Sequence, residues 1–530
     1  MKKIYKYVLL VLLACSPTFY SCDDDVTDLK PVDRVTEETA YDTKDRCELA
    51  IVGVYRAANS GVYTGTTTTR RGYPFGAASI IQSEMRGEDL VNNAAFYDFT
   101  YSSTFSAVTA NNTTMWENSF ACINKANLVI EGLTGALEKG ILTQEEANAG
   151  IAECRFLRAL TYHNLLIHFS RPYADNPNAE HSGLPIHTKG ISDESGVAEG
   201  KKIGRSTIAE TYKFILDDLS YAENNIVGGS IGRATQGAAI ALKTRVYLHM
   251  GDWANVETEA KKIVSGTTAP FKSPIGGYQL EDDPAAPFTA FSKNKESIFS
   301  IENSEEANPT VNGALAQMLS TRASARALVS LSPILYNASF FAKDDKRRTS
   351  LLMISPSTSV WYLDKYRNVT TMDDFAPIIR YAEVLLNYAE ADARLNGVTT
   401  LSKNLLNAVR QRSTTEISSF ASKKDLIQTI LNERRVEFMG EGRRWEDIHR
   451  LALDTDFTTG GIPAKSSYTQ EISLIKSGET VFDAGSGIVN SKLTSTYKLI
   501  PYSDKRFLWP IPLTETTRND ILKEQQNPGW

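Results

Sequence analysis

Six stretches of this chain share one pattern, and that pattern decides the architecture. Thr114–Leu133, Thr143–Phe169, Arg205–Ile226, Ala234–Val264, Pro377–Gly397 and Lys423–Glu441 space their apolar residues three and four apart, the period of an α-helix. Thr143 and Glu146 form a capping box at one start, and Ser206/Thr207 caps another. Gly251–Asp252 turns one helix into the next. Small residues such as Ala239, Ala241 and Ala254 fall where neighbouring helices would touch, and apolar residues lie on more than one face. Helices paired through short turns and buried on two sides build a solenoid. The expected fold is therefore mainly α: a tetratricopeptide-like helical superhelix scaffold with long irregular loop regions carrying the binding surface. A length of 530 residues suits such an assembly better than one compact core.

Two regions break the pattern. A helix with apolar residues at Leu49, Val52 and Tyr55 stops at Gly61. Residues 61–112 are then rich in Thr, Ser, Gly and Asn, interleaved with Tyr and Phe. Residues 265–376 are again Ser-, Thr-, Pro- and Asn-rich. Long loops are uncommon inside compact proteins unless they serve function, and aromatic side chains are unusual in plain linkers. The binding surface is expected there.

The N-terminus reads as a targeting signal. A basic MKKIYKY precedes the apolar run Val8–Ala14, which has signal-peptide length and is too short to span a bilayer. Cys15, in LLAC, and Cys22, followed by three aspartates, both fit an acylated first residue. Removing residues 1–21 takes away three lysines and no acid, so the net charge of −6 becomes −9. An acidic chain is a poor partner for nucleic acid. Cys47, Cys122 and Cys154 remain, an odd number without a CxxC. They read as buried thiols, neither a disulfide framework nor a zinc site.

Catalytic signatures are weak. Gly228–Gly232 matches G-x-S-x-G, but a helical pattern precedes it where a nucleophile elbow needs a strand. His163 and His168 stand five apart, on different faces of one helix. No cofactor and no metal is expected. The most charged stretch, Asn432–Arg450, carries five Arg against five Glu or Asp. A nucleic-acid grip would be lopsidedly positive. Arg443/Asp447 and Glu446/Arg450 stand at i,i+4, the spacing of helix ion pairs. Two helices broken at Gly440 and Gly442 would bring the Arg and Glu sets together, so a structural network is expected.

Several stretches, in order along nearly the whole chain, resemble one family. They include CDDD…LKP from Cys22, AECRFLRALTYHNLL, RSTIAETYKFILDDL, AAIALKTRVYLHMGDW, RYAEVLLNYAEA, ILNERRVEFMGEGRRWEDIHRL and the terminal NDILKEQQNPGW. These are similar to the SusD/RagB-like outer-membrane nutrient-binding lipoproteins of Bacteroidetes. The resemblance implies a signal peptide over 1–21 and a lipidated tether over 22–40, with Cys22 rather than Cys15 as the anchor. A SusD-like N-terminal helical region over 41–265 and a SusD/RagB-like C-terminal region over 266–530 would follow. It further implies a non-enzymatic protein, lipid-anchored in the outer membrane and facing the cell exterior. Such a protein would capture glycans and deliver them to a TonB-dependent SusC-like transporter. A peptide-capturing member of the family and an α-helical glycan hydrolase are the alternatives. The family's ligand residues do not carry over by motif. Among the tryptophans, Trp361 alone lies outside the stretches that carry the resemblance, which makes Trp361, Tyr362 and Tyr366 candidates, because rings stack on sugar faces. Tyr73, Phe96, Tyr97 and Tyr101, with Glu84, Arg86 and Asp89, are candidates from the first loop region.

Overall fold

A computed structural model describes residues 39–62, 65–66, 68–415 and 419–530. The signal and tether readings, Cys22 included, lie outside these residues. The helices follow one another in packed neighbours. Helix α1 (Lys44–Asn59) leads to the short α2 (Ala77–Glu84), strand β1 (Leu90–Asn92) and α3 (Ala95–Tyr101). The long pair α4 (Ala110–Glu138) and α5 (Gln144–Phe169) comes next, then β2 (Ser182–Pro185), α6 (Glu194–Gly200) and β3 (Arg205–Thr207). The scaffold continues through α7 (Ile208–Asn225), α8 (Gln236–Met250) and α9 (Trp253–Ile263). Helix α4 packs on α5, α5 on α7, α7 on α8 and α8 on α9, the succession expected of a solenoid.

The second irregular region holds β4 (Ser297–Ile301), β5 (Val329–Leu331), β6 (Leu352–Ile354), β7 (Trp361–Leu363) and β8 (Ala376–Arg380). Helices α10 (Tyr381–Asn396), α11 (Thr400–Arg410), α12 (Lys423–Glu437) and α13 (Arg443–Arg450) resume the scaffold. The chain closes with α14 (Tyr468–Lys476), α15 (Leu513–Thr516) and α16 (Asp520–Glu524). Among the described residues the strands form only two-stranded antiparallel sheets, β1 with β5 and β6 with β7 among them. One core cluster runs from Cys47 to Ile511 and so joins residues on both sides of position 265.

Local signals act where they were read. The boxes Thr143/Glu146 and Thr207/Glu210 cap α5 and α7. Gly251 is left-handed (φ +71°) and Asp252 caps α9. Ala239 and Ala241 are sealed between helices, but Ala254 is exposed. Helix α1 turns a different face inward than expected. Cys47, Ile51, Val54 and Ala58 are buried, while Leu49 is 65% exposed and Val52 43%. Both stripes have helical spacing, and packing against α4 selects the smaller-residue one. The first irregular region is also more ordered than its composition implies, since it contains α2 and α3. The thiols of Cys47, Cys122 and Cys154 are free and buried; burial pushes Cys122 up to about 12 and raises Cys47 and Cys154 as well.

The charged stretch from Asn432 is a sealed ion lattice. Gly440 (φ +76°) and Gly442 (φ +81°) break the chain between α12 and α13. Arg380 donates to Glu441 at 2.8 Å and to Glu437 at 2.8 Å, and also pairs with Glu296. Arg347 binds Glu433, Glu437 and Asp345 within 2.9 Å. Lys365 donates to Glu441 at 2.6 Å. Arg450 forks onto Glu390 and reaches Asp447, which also takes Arg434. These groups are buried. The pairing is not the i,i+4 set read from spacing: Arg443 meets Glu446, and Arg450 meets Asp447, both at i,i+3. The remaining partners come from other elements. The cations hold Glu437, Glu441 and Glu446 below the usual carboxylate range against the opposing effect of burial.

Candidate functional site

The lattice reaches out to one surface groove through the segment between α2 and β1. Glu84 accepts from the Gly442 amide at 2.7 Å. Arg86 lies over the Trp445 ring at 3.7 Å and donates to the Phe507 carbonyl at 2.5 Å. Asp89 takes Arg435, and Glu88 takes Arg444 at 2.6 Å. Residues 84–89 are thereby clamped to α12 and α13, and β1 leaves that clamp in a fixed direction.

Strand β1 pairs with β5, Leu90 opposite Leu331, and delivers the partly exposed Asn93 to the surface. Asn93 donates to the Ala327 carbonyl at 2.8 Å and to the Tyr362 hydroxyl at 3.2 Å. The Tyr362 hydroxyl in turn lies 3.3 Å from that of Tyr468. The two irregular regions, distant in sequence, thus meet at one seam. Helix α3 forms one wall: Tyr97 and Tyr101, one turn apart, face inward, and Asp98 and Phe99 face out, Phe99 being 50% exposed. The opposite wall is the start of α14. Between them lies a groove of about 440 Å³, lined by Asn93, Asp98, Phe99, Tyr468, Thr469 and Tyr497 among others.

A buried network fixes the two walls to each other. The Tyr101 hydroxyl donates to the Ser466 carbonyl at 2.5 Å. Lys465 donates to the carbonyls of Met85 at 2.5 Å and Tyr101 at 2.8 Å. The Ser466 hydroxyl donates to Glu471 at 2.7 Å, and the Tyr497 ring meets that of Tyr101 edge-on at 5.0 Å. Burial pushes Lys465 down to about 7, with the charge of Arg86 adding to the shift. Burial also pushes Glu471 up to about 8, and Glu84 to about 8. At the groove itself, the carboxylate of Asp98 and the hydroxyl of Thr469 make no side-chain hydrogen bond among the described residues. Exposed rings beside uncommitted polar groups suit a ligand with an apolar face and many hydroxyls.

The sequence-derived candidates sit mostly behind this surface. Tyr73, Glu84, Arg86, Asp89, Tyr97, Tyr101, Tyr362 and Tyr366 are at most 2% exposed, so they offer a ligand little surface. Several of their polar atoms serve the scaffold; the Tyr366 hydroxyl, for instance, donates to the Gly440 carbonyl at 3.1 Å. Phe96 and Trp361 keep partial exposure. Phe96 takes Arg71 over its ring at 4.2 Å. Trp361 points away from Tyr362, as neighbours on a strand do, and stacks on Tyr336 at 5.1 Å. It joins a second aromatic patch outside the groove lining. Sequence reasoning missed Asn93, Asp98, Phe99, Tyr468 and Tyr497. For α3 a signal existed: Tyr97 and Tyr101 at i,i+4 define an inner face, which leaves Asp98 and Phe99 outward.

Comparisons with known proteins fit this architecture. A family profile described as "SusD family" matches residues 354–530, and one described as "Starch-binding associating with outer membrane" matches residues 31–248. The chain belongs to the SusD/RagB family. SusD-like protein P2 of Formosa agariphila is 25% identical over 581 residues, covering 100% of both chains. A SusD superfamily crystal structure from Bacteroides thetaiotaomicron matches 92% of this chain and 100% of its own at TM-score 0.70 and 23% identity. A structure described as a laminarin-binding SusD-like protein covers 92% of this chain and 100% of its own, at TM-score 0.66 and 20% identity. These structures support the mainly helical SusD fold. The matched span 354–530 includes Trp361, so that residue does not stand outside the family region as expected. The family is associated with the outer membrane. No helix among the described residues is long and apolar enough to cross a membrane.

Proposed function

We propose that this protein captures oligosaccharide or polysaccharide at the cell surface and passes it, without chemistry, to a TonB-dependent SusC-like transporter. The observation that carries the reading is the groove between α3 and α14. Phe99, Tyr468 and Tyr497 supply rings, and Asn93, Asp98 and Thr469 supply hydrogen-bonding groups beside them. Sugar rings bind by laying C–H faces on aromatic surfaces while hydroxyls satisfy polar neighbours. The laminarin-binding description of one structural relative supports a glycan over a peptide. Phe96 and Trp361 contribute at most at the margins. Cys22 is the proposed lipid anchor, which would hold the protein at the outer membrane facing outward.

The test is calorimetric titration with a panel of oligosaccharides, laminarin-derived ones included, against wild type and the Phe99→Ala and Tyr468→Ala variants. Binding that both variants weaken is expected. Tight binding to peptides without any glycan response would move the protein to the peptide-capturing alternative. Release of sugar products by the purified protein, lost on mutating one acid, would establish a hydrolase. Copurification with a β-barrel transporter, abolished by Cys22→Ala in cells, tests the delivery step.

A further inference from the structure

A second cavity, of about 240 Å³, lies between α4, α6 and the C-terminal helices α15 and α16. Trp116 and Phe120 form its floor, their rings 4.7 Å apart, and the His187 ring meets Phe120 edge-on at 5.7 Å. Ile123, Val197 and Leu522 complete the apolar wall. A larger opening beside it shares Ile191, Val197 and Lys201 and adds Asp193 and Glu194.

The polar groups of this cavity fall into two sets. Asn124 and Asn519 are committed to the fold: Asn124 exchanges hydrogen bonds with the Ile191 backbone, and Asn519 binds the Ile203 carbonyl and the Leu522 amide. Glu515 has no hydrogen bond or ion pair to its carboxyl among the described residues, although it is only half-exposed. Burial first, and then the neighbouring charge of Glu117, push its pKa up, against Arg518. His187, lowered by burial, is neutral at pH 7 and adds no competing charge. The two openings are lined by three carboxylates (Asp193, Glu194, Glu515) and two cations, Lys201 and Arg518. All but Glu515 are exposed, where solvent and salt screen them, which leaves Glu515 as the partly buried charge.

We propose that this cavity is a binding site for a small organic ammonium ion, whose aromatic or branched alkyl part lies on Phe120 and Val197 and whose charged head meets Glu515. The asparagines of this cavity are committed to the fold, and a partly buried carboxylate without a hydrogen-bond partner gains most from a cation that brings its own apolar surface. A carboxylate-bearing ligand of the same shape would face Glu515 and Glu117 and be disfavoured. Because the ammonium needs Glu515 ionised, its binding releases a proton and strengthens as pH rises through the acidic range. The site is separate from the α3/α14 groove and does not depend on the glycan reading.

The experiment compares phenethylammonium, 2-phenylethanol and phenylacetate by calorimetry on the full chain. Phenethylammonium is expected to bind at least about fivefold tighter than the alcohol, and the alcohol tighter than phenylacetate. Glu515→Gln should reduce phenethylammonium to the level of the alcohol. Val197→Trp, at a partly exposed wall position, should exclude all three while leaving thermal stability unchanged. Phe99→Ala in the other groove should leave all three unaffected. Phenylacetate binding as tightly as phenethylammonium, or no binding by any probe at about 10 mM, would overturn the proposal.

Discussion

The ion lattice around Arg380 and the groove beside α3 are joined by a single strand, yet they treat their polar groups in opposite ways. In the lattice nearly every charge is buried and answered by another; Arg380 alone meets Glu296, Glu437 and Glu441. In the groove the rings are partly exposed and Asp98 and Thr469 are uncommitted. Density of charge in the sequence therefore marks where the fold is held. Availability of polar groups marks where a ligand can be met. The clamp of Glu84, Arg86 and Asp89 on α12 and α13 connects the two, because it sets where β1 delivers Asn93.

The sharpest break of this comparison is Arg380→Ala. It takes one cation from three buried carboxylates, of which Glu296 keeps Arg412, Glu437 keeps Arg347 and Glu441 keeps Lys365, and loss of one partner of a buried pair costs about 3–5 kcal/mol. Urea denaturation should register a loss of that size. Arg443→Ala should follow the same rule on a smaller scale, since Glu446 and the Ile378 carbonyl each lose one donor but keep Arg245. It should lower stability more than glycan affinity; intact thermal stability with abolished binding would contradict the separation. On the groove side the signs reverse. Phe99→Ala and Tyr468→Ala should each weaken glycan binding by about 1–2 kcal/mol, roughly tenfold, with melting temperature nearly unchanged for Phe99→Ala and modestly lowered for Tyr468→Ala, which also loses the Tyr362 contact. A large melting shift for Phe99→Ala would mean that its ring belongs to the scaffold.

The junction between the regions has its own pH signature. Glu471, raised to about 8 from an ordinary 4.5, keeps its proton in the folded chain after the unfolded chain has lost it. Its contribution is fully present below about pH 4.5 and is lost as pH rises through 8. Glu84 acts in the same direction. Lys465, lowered to about 7 from 10.5, acts oppositely, adding stability only as pH rises above 7. Between about pH 5 and 7 the raised carboxyls lower stability while the buried His163, His168, His249 and His449, held neutral by burial, raise it. The readout is therefore the difference from wild type: Glu471→Gln should shift the change in melting temperature between these pH values towards a gain. An unaltered pH profile would show that Glu471 titrates normally. The smallest expected effect is Trp361→Ala, within about threefold in glycan affinity, since its ring stacks on Tyr336 outside the groove. A larger loss would relocate the ligand to that second aromatic patch.

What could be read from the sequence was what is encoded locally. The capping box at Thr143, the Ser206/Thr207 cap, which the fold resolves to Thr207, and the Gly251–Asp252 turn depend on residues within four positions of one another, and they act where they were read. The face of α1 was harder, because Ile51/Val54 and Leu49/Val52 are equally helical stripes and only contact with α4 distinguishes them. Balanced charge in Asn432–Arg450 pointed to a lattice, but its partners Glu296, Asp345 and Glu390 come from segments that spacing cannot align. The groove depends on the same kind of distant meeting. Tyr362 reaches both Asn93 and Tyr468, and nothing local in the sequence announces that encounter. Most of the aromatic residues chosen from the irregular regions are buried, because aromatic content alone does not tell which ring faces solvent.

The three buried thiols carry a practical consequence. Cys47, Cys122 and Cys154 are enclosed and held protonated by their surroundings, and thiolate character is what makes a cysteine reactive. Within the described residues, a single new thiol at an exposed position such as Ala95 or Ala198 would be the fast-labelling one at neutral pH. A fluorophore or spin label placed there could follow occupancy of each cavity without first removing any of these three native cysteines.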